Sequence, residues 1–444
     1  MQGPAGREEI NPMFASARGV LASGVSASMR FHPYLGQPFY ISRGDGAHVY
    51  DVDGSRYIDF NESNGATLLG HGHPRVREAI QQGLDAGIIA AAETPFHLQL
   101  ASELTEIIPA AERVRFASTG SEVTLVATRL ARHVTGRTKI LKFTGHFHGL
   151  TEPFLFRPAV SAASSDDVVP TSGGVPAAYG SDVVMVPWND PDAFDRALAQ
   201  HHDSIAAVIC EPVFYNAGCI PPEPGFLQML RQRTRDQGII LIFDEVLSGF
   251  RMALGGAQEE YAVTPDLSTL AKAVANGMPL SVLAGRFDLM EHLAPSGPVA
   301  HSGTYSGHLL SVLAALTTLE ELRKPGMYAS LSARSTSFYT ALQELFDRHA
   351  LPVRVQGLGA RFGLYFGRRE PVKTYSDAQN HDHELNRQFV IGCLKRGVYF
   401  HAYNRTGAPG HSGFSFAHSD ADLAEALTKM SDVVGDIASK AIPA

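Results

Sequence analysis

An unbroken run of apolar residues ends abruptly in two carboxylates near the middle of the chain. The run reads GIILIFDE, from Gly238 to Glu245, and its apolar residues are mostly β-branched. This pattern is typical of a central strand buried on both faces, and it predicts an α/β protein with a mostly parallel sheet. Ligands of open α/β sheets bind at the carboxyl ends of the strands, which is where Asp244 and Glu245 lie.

A lysine set among small residues follows this predicted strand. Lys272 is flanked by Ala271 and Ala273, with Gly277 close behind. An acid and a lysine in this order suit pyridoxal phosphate chemistry, in which the lysine holds the cofactor aldehyde as a Schiff base and Asp244 pairs with the protonated pyridine nitrogen. These residues alone also allow other interpretations. The acid could belong to a metal site or a helix cap, and the lysine could be a solvated surface group.

Composition excludes several classes of protein. The chain has 444 residues, 44% of them hydrophobic, which is enough for two domains and a large core. A net charge of 37 − 45 = −8 argues against binding to nucleic acid or to an anionic membrane. Cys210, Cys219 and Cys393 show no paired spacing, which favours a reducing compartment. The N-terminus lacks the apolar core of a signal peptide, and no apolar run reaches the roughly 18 residues of a membrane span. We therefore expect a cytoplasmic protein.

Strand and helix patterns alternate through residues 70–322, which we predict to form a large domain. Amphipathic helices such as Phe226–Gln237 separate the strands, and this alternation predicts a sheet covered on both faces. The candidate strands are Val114–Phe116, Lys139–Phe143, Val183–Pro187, Ala206–Glu211, Ile239–Asp244 and Ser281–Gly285.

The two ends of the chain are predicted to form a smaller α+β domain, from residues 1–69 and 323–444. Residues Phe39–Phe60 alternate in the manner of an antiparallel meander with turns at GDG and VDG. Strand patterns also occur within Val353–Phe366 and Gly397–His401, and Ala421–Ala438 is typical of a closing helix.

Four further stretches carry residues suited to cofactor chemistry. Thr119, Gly120 and Ser121 lie between a strand and a helix, where free N–H groups and hydroxyls form an anion site, although an ordinary helix cap has the same composition. Phe147 could stack on a flat ring, but aromatic residues are more often core. The third stretch supplies Glu211 and Asn216 beyond a strand end, where Asn216 could also be an ordinary turn asparagine. The fourth supplies Gly303 and Thr304 in a loop before a helix, and an ordinary loop is the alternative there.

Taken together, eight ordered motifs resemble the class III aminotransferases of the type I pyridoxal phosphate fold, and most closely their glutamate-1-semialdehyde aminomutase branch. The resemblance covers about residues 12 to 440. The motifs are SASMR ending at Arg30, LLGHGHP, STGSE, GHFHG, EPVxxN, DEVLSGFR, TLAKAVANGMP and GTYSG.

The resemblance implies a homodimer with pyridoxal phosphate as the cofactor and no metal. Lys272 would be the Schiff-base lysine and Asp244 the partner of the pyridine nitrogen. Gly120 and Ser121, with Thr119, would hold the phosphate of the cofactor. Phe147, Glu211 and Asn216 would lie around its ring. Gly303 and Thr304 would reach the phosphate bound in the partner subunit. Arg30 would bind a substrate carboxylate, with Asn64 and Arg405 near the substrate.

Differences from the aminomutase branch favour amino transfer between two molecules. Asn64 replaces a usual tryptophan, Ala27 replaces a serine, and YNRTGAPGHSGF lacks the usual glutamate. The sequence therefore predicts an aminotransferase that moves an amino group from an amino acid, including bulky or β-amino acids, to a 2-oxo acid through the pyridoxamine form of the cofactor. Residues 164–179 resemble the mobile gating loop of the aminomutases, so glutamate-1-semialdehyde 2,1-aminomutase stays the alternative. A decarboxylase, a racemase and a non-catalytic cofactor-binding protein also remain open.

Overall fold

A seven-stranded sheet forms the centre of the computed structural model, which describes residues 10–159, 165–402 and 407–441. Ser281–Gly285 runs antiparallel to both of its neighbours, and the other six strands are parallel to one another. In spatial order the strands are Val183–Val186, Lys139–Phe143, Ile205–Cys210, Ile240–Glu245, Leu267–Leu270, Ser281–Gly285 and Arg113–Ala117. The mostly parallel α/β fold predicted from the sequence is confirmed.

One strand of this sheet was not predicted. Leu267–Leu270 lies beside Ile240–Glu245 and pairs Thr269 with Asp244. The strand has four residues, two of them polar, so its pattern gives no strand signal. Its position next to the central strand brings the chain that leads to Lys272 against the two carboxylates.

Helices cover both faces of the sheet, which explains why its central strands are buried along their whole length. Every residue of Ile205–Cys210 and of Ile240–Glu245 is buried. Gly120–Thr135 begins with a capping box of Thr119 and Glu122 and ends at Gly136 in the left-handed conformation. The other helices of eight or more residues in this part of the chain are Pro74–Asp85, Pro95–Ile107, Pro191–Gln200, Phe226–Asp236 and Leu309–Leu322.

Residues from both ends of the chain share a second, smaller sheet. Val398–Tyr399 runs parallel to Arg56–Asp59, which continues an antiparallel meander with His48–Asp51 and Ile41–Asp45. The boundaries at residues 69 and 322 remain predictions. The long C-terminal helices are Met327–Arg348, His383–Lys395 and Asp420–Ala441, and the short helices are Pro12–Ala17, Glu62–Gly65, Gly256–Glu260, Phe287–Met290 and Tyr375–Gln379.

The predicted strand region Val353–Phe366 is divided by a tight turn. Val353–Leu358 and Arg361–Phe366 form a hairpin, and Ser412–Gly413 adds a third strand beside the second. Gly359 has φ of +56°, and a Cβ there would collide with the backbone of Arg251, so the turn needs a glycine. The turn therefore fixes the start of the strand that carries Arg361.

Two short antiparallel hairpins and six short 3₁₀ helices complete the described elements. The hairpins are Phe31–His32 with Gln37–Pro38, and Phe156–Pro158 with Val168–Pro170. The 3₁₀ helices are Ala22–Gly24, Ser28–Arg30, Glu152–Phe154, Ala177–Asp182, Tyr215–Ala217 and Lys272–Ala275. None of the helices within residues 10–159, 165–402 and 407–441 combines the length and apolar character that crossing a bilayer requires.

Candidate active site

Asp244 lies buried near the carboxyl end of the central strand, held by three donors. Its Oδ2 accepts a hydrogen bond from Nδ1 of His148 at 2.7 Å. Its Oδ1 accepts from the backbone N–H of Val246 at 3.1 Å and from the hydroxyl of Thr269 at 3.2 Å. These donors stabilise a carboxylate, so the site holds a fixed negative charge at this edge of the sheet.

Lys272 begins a short 3₁₀ turn just beyond the neighbouring strand. Its φ is +48°, an unusual conformation for a residue other than glycine, and such strain clusters at functional sites. Within the described residues, its ammonium group makes no hydrogen bond. Burial lowers the pKa of Lys272 to about 8, with further lowering from the positive charges of Arg251 and Arg361. Near neutral pH the lysine is thus much closer to its neutral, nucleophilic form than a surface lysine is.

Glu211 links two of the stretches singled out in the sequence. Its carboxylate accepts hydrogen bonds from the backbone N–H of Phe147 at 2.9 Å and of Asn216 at 3.3 Å. Burial raises the pKa of Glu211 to about 7. The structure therefore brings Phe147, Glu211 and Asn216 together at the strand ends and leaves the Phe147 ring partly exposed.

Two histidines that flank Phe147 were missed by the sequence analysis. Nδ1 of His146 accepts the backbone N–H of Glu211 at 3.0 Å, and His148 donates to Asp244. The alternation His-Phe-His in an extended segment sends both imidazoles to one side, and that spacing is the signal that could have identified them. Burial lowers the pKa of both imidazoles, so they are neutral at physiological pH.

Thr119, Gly120 and Ser121 form the start of a 16-residue helix at the same edge. Thr119 is the N-cap, and its hydroxyl and backbone N–H are both bonded to Glu122. In the described part of the chain, the N–H groups of Gly120 and Ser121 have no hydrogen-bond acceptor. The hydroxyl of Ser121 accepts the backbone N–H of Leu150 at 3.2 Å. Two N–H donors and the positive end of the helix dipole therefore face outward, an arrangement that suits a phosphate.

The remaining predicted residues lie at the periphery or in other elements. Gly303 and Thr304 are exposed in the loop before Leu309–Leu322, next to Tyr305, which is 65% exposed. Arg30 is exposed and donates to the hydroxyl of Ser26 at 2.6 Å. Arg405 lies outside the described residues. The cofactor and substrate roles of these residues stay predictions.

Asn64 belongs to a left-handed turn that the sequence did not reveal. Glu62, Ser63 and Asn64 have φ values of +54°, +51° and +56°, and Gly65 continues at +82°. Each non-glycine residue in this conformation costs about 1–2 kcal/mol, so surrounding contacts must hold the turn. Arg251 supplies one of them by donating from Nη2 to the carbonyl oxygen of Gly65.

Comparisons with known proteins agree with this geometry. The model of the class-III aminotransferase family matches residues 32–434. A solved ω-transaminase from Sphaerobacter thermophilus is 29% identical, with a TM-score of 0.88 and 96% of each chain covered. A β-phenylalanine aminotransferase from Variovorax paradoxus is 28% identical, with a TM-score of 0.85 and coverage of 96% of this chain and 93% of that chain.

An aminomutase shares the fold as well. The glutamate-1-semialdehyde aminomutase of Pseudomonas aeruginosa has a TM-score of 0.85 at 24% identity, with 96% of this chain and 94% of that chain covered. At this identity the likeness establishes only the fold. The family model, by contrast, spans most of the chain and all of the strand-end stretches described above. The chain belongs to the class-III aminotransferase family, with the type I fold of pyridoxal phosphate enzymes.

Proposed function

We propose that this protein is a pyridoxal phosphate-dependent aminotransferase that moves an amino group from an amino acid to a 2-oxo acid. The observation that carries the proposal is the position of Lys272, with a pKa lowered to about 8, two residues beyond the strand that pairs with the strand of Asp244. A lysine and a fixed carboxylate in this relation suit a cofactor with an aldehyde and a ring nitrogen.

The residues at this edge fit the cofactor by their chemistry. Free N–H donors at the helix start suit the phosphate, and the close contact of Gly149 with Ser121 leaves no space for a Cβ beside them. Lys272 has an ammonium group without a hydrogen bond in the described chain, and Asp244 is a buried carboxylate. In the proposed assignment, Lys272 holds the aldehyde carbon, Asp244 the ring nitrogen, Gly120 and Ser121 with Thr119 the phosphate, and Phe147, Glu211 and Asn216 lie around the ring.

Each of these side chains has a task in the reaction. When bound, the cofactor supplies an electron sink for the electrons released on breaking the Cα–H bond of the substrate. Lys272 takes and returns protons at its Nζ, which its lowered pKa allows near neutral pH. His148 holds Asp244 in one orientation through the 2.7 Å bond, and neutral His148 adds no positive charge that would weaken the pull of the carboxylate.

Amino acids with bulky or β-placed amino groups are the donors we favour. Asn64 lies in the turn just before residues 67–70, which contact the segment that follows Lys272, and its side chain is smaller than the tryptophan of the aminomutase branch. The similarity to a β-phenylalanine aminotransferase supports this choice. Arg30 is proposed to bind the donor carboxylate at the rim of the site, and Arg405 a second one.

A homodimer is part of the same proposal. Gly303 and Thr304 are exposed and, among the described residues, have no contact with Lys272 or Asp244, so they are available to complete the phosphate site of a second copy. Sedimentation should give a dimer, and a fully active monomer would contradict this. The three cysteines are free thiols, which supports a cytoplasmic location.

The test is an assay with one amino acid and one 2-oxo acid, with each omitted in turn. Product should require both substrates, and Lys272→Ala should lower turnover by several orders of magnitude. Turnover of the wild type without an acceptor, converting glutamate 1-semialdehyde to 5-aminolevulinate, would instead support the aminomutase alternative. Unchanged turnover of Lys272→Ala would refute the proposed mechanism.

A further inference from the structure

Two arginines are buried next to the proposed site. Arg251 and Arg361 are each 1% exposed. Among residues 10–159, 165–402 and 407–441, no carboxylate oxygen lies within 4.0 Å of either guanidinium, although the charges of Glu62 and Asp59 lie near enough to Arg361 to offset part of the lowering of its pKa by burial. Burying an unpaired charge is costly, so each cation needs another source of stabilisation.

Arg251 obtains that stabilisation from the backbone. Its Nε donates to the carbonyl oxygen of Leu247 at 2.5 Å, and its Nη2 donates to the carbonyl oxygen of Gly65. The second bond ties the left-handed turn to the segment that carries Arg251. Arg251 is therefore a structural residue whose Nε and Nη2 are both engaged.

Arg361 is different because most of its donors are unused. Its Nη2 donates to the carbonyl oxygen of Asn61 at 3.1 Å. Its Nε and Nη1 are buried, and no acceptor for them exists in the described part of the chain. Nε–H and Nη1–H lie on different edges of the planar guanidinium, so each is free to donate one charged hydrogen bond to a carboxylate oxygen.

Two glycines make room for this guanidinium. A Cβ at Gly65 would collide with Nη2 of Arg361, and a Cβ at Gly413, the strand partner of Arg361, would lie 2.8 Å from Nη1. The side chain thus lies in a cradle formed by backbone without side chains. His411, two residues before Gly413, is also buried and has an unpartnered Nδ1, so a further potential donor lies next to the cradle.

The cradle adjoins the segment that carries Lys272. Asn276 bonds the backbone of Leu69 and Gly70 at 2.9 and 3.1 Å, and a Cβ on Gly277 would lie 3.2 Å from the side chain of Thr67. The chain that contains Gly65 therefore packs directly on the turn that begins at Lys272. The charge of Arg361 also contributes to the lowered pKa of Lys272, after burial and Arg251.

We infer that Arg361 is a substrate-binding residue that receives the carboxylate of an amino acid or 2-oxo acid inside the site, through a charged hydrogen bond from one of its two unused donors, Nε or Nη1. This inference rests on the proposed function for the identity of the substrate. It places a carboxylate in a desolvated cradle, where charged hydrogen bonds are strong, whereas Arg30 is exposed to solvent. Arg361 thereby selects acids over simple amines.

The test measures binding of 3-phenylpropanoate, a carboxylate without an amino group, to the holoenzyme by calorimetry. Arg361→Met should weaken binding by about 10- to 100-fold, since it removes a charged hydrogen bond and keeps much of the volume. Arg361→Lys should fall between, because an ammonium keeps the charge but not the donor positions of the guanidinium. The matched control is Arg354→Met. Arg354 lies in the strand paired with that of Arg361, but it lines a different groove together with Glu223 and Lys373. Binding of 3-phenylpropanoate to this variant should therefore stay within about twofold of wild type.

A second measurement separates a binding role from a structural one. In the single half-reaction with 1-phenylethylamine and no acceptor, Arg361→Met should react at the wild-type rate, because an amine without a carboxylate makes no use of Arg361. Unweakened binding of 3-phenylpropanoate, an equal loss with the amine, or failure of both Arg361→Met and Arg361→Lys to fold would overturn the inference. The binding measurement requires no turnover, so it tests the role of Arg361 separately from the proposed function. Binding that depends on Arg361 could be observed in a protein that does not transfer amino groups, and an aminotransferase could bind the acid without Arg361.

Discussion

Replacing Asp244 by asparagine separates the charge of the carboxylate from its shape. The backbone N–H of Val246 and the hydroxyl of Thr269 both donate to Oδ1, so an amide oxygen in that position keeps both bonds. The amide NH₂ then faces Nδ1 of His148, which must become an acceptor and move its proton to Nε2. That atom is buried without a partner in the described chain, so we expect a stability loss of about 1–3 kcal/mol and retention of the fold.

The effect on catalysis should be much larger than the effect on stability. Two opposite unit charges about 4 Å apart attract each other by about 4 kcal/mol at an effective dielectric constant of about 20. Loss of this stabilisation of the protonated ring corresponds to a fall in kcat of about 1000-fold, at about 1.4 kcal/mol per factor of ten. We would measure single-turnover rates with the cofactor at saturation, so that weaker cofactor binding does not contribute.

Glu245→Gln is the matched control for this experiment. Glu245 is the next residue of the strand, points to the opposite face, and accepts bonds from Ser248, Ala257 and Gln258 at 2.9, 2.7 and 3.0 Å. The Glu245→Gln variant should be less stable than wild type but keep its single-turnover rate within about threefold of the wild-type rate. A fall of less than tenfold in Asp244→Asn, or an equal fall in Glu245→Gln, would refute the role assigned to Asp244.

Three further predictions concern the cofactor and the substrate. Only a neutral amine attacks an aldehyde, and the pKa of Lys272 is lowered to about 8. The rate at which cofactor-free protein takes up pyridoxal phosphate should therefore rise about tenfold per pH unit below pH 8 and level off above it. Stopped-flow absorbance would measure this rate, and a continued rise to pH 10 would contradict the prediction. Gly149→Ala should weaken cofactor binding at least tenfold in equilibrium titrations, because the φ of Gly149 is +98° and the new Cβ collides with Ser121. The control is Gly136→Ala: Gly136 has φ of +69° and open space around it, so this change should cost only about 1 kcal/mol of stability. Arg30→Ala should raise KM for amino acids and leave simple amines unaffected, and unchanged amino-acid kinetics would remove Arg30 from the substrate site.

The sequence predicts those parts of the fold whose signals are local. The run that ends at Asp244, the helix start at Gly120 and the strand before Glu211 all combine apolar periodicity with turn residues, and their positions are confirmed. Strand ends of a parallel sheet meet at one edge, which is why Glu211 and Asp244, at the ends of two neighbouring strands, lie at the same edge.

The parts that were missed depend on tertiary contacts. Leu267–Leu270 is a strand because it lies beside Ile240–Glu245, not because of its own four residues. The left-handed turn at Asn64 is held by Arg251, which is distant in sequence. Arg361 at the start of a strand would be expected to point to solvent, and only the approach of Gly65 and Gly413 buries it.

The most direct test of amino transfer follows the nitrogen itself. Wild-type holoenzyme would be incubated with a ¹⁵N-labelled amino acid and an unlabelled 2-oxo acid, and both products analysed by mass spectrometry. The account predicts that each molecule of 2-oxo acid formed from the donor is matched by one molecule of ¹⁵N-labelled amino acid formed from the acceptor, and that Lys272→Ala forms neither. Label retained on the original carbon skeleton, or carbon dioxide released in place of a 2-oxo acid, would contradict it.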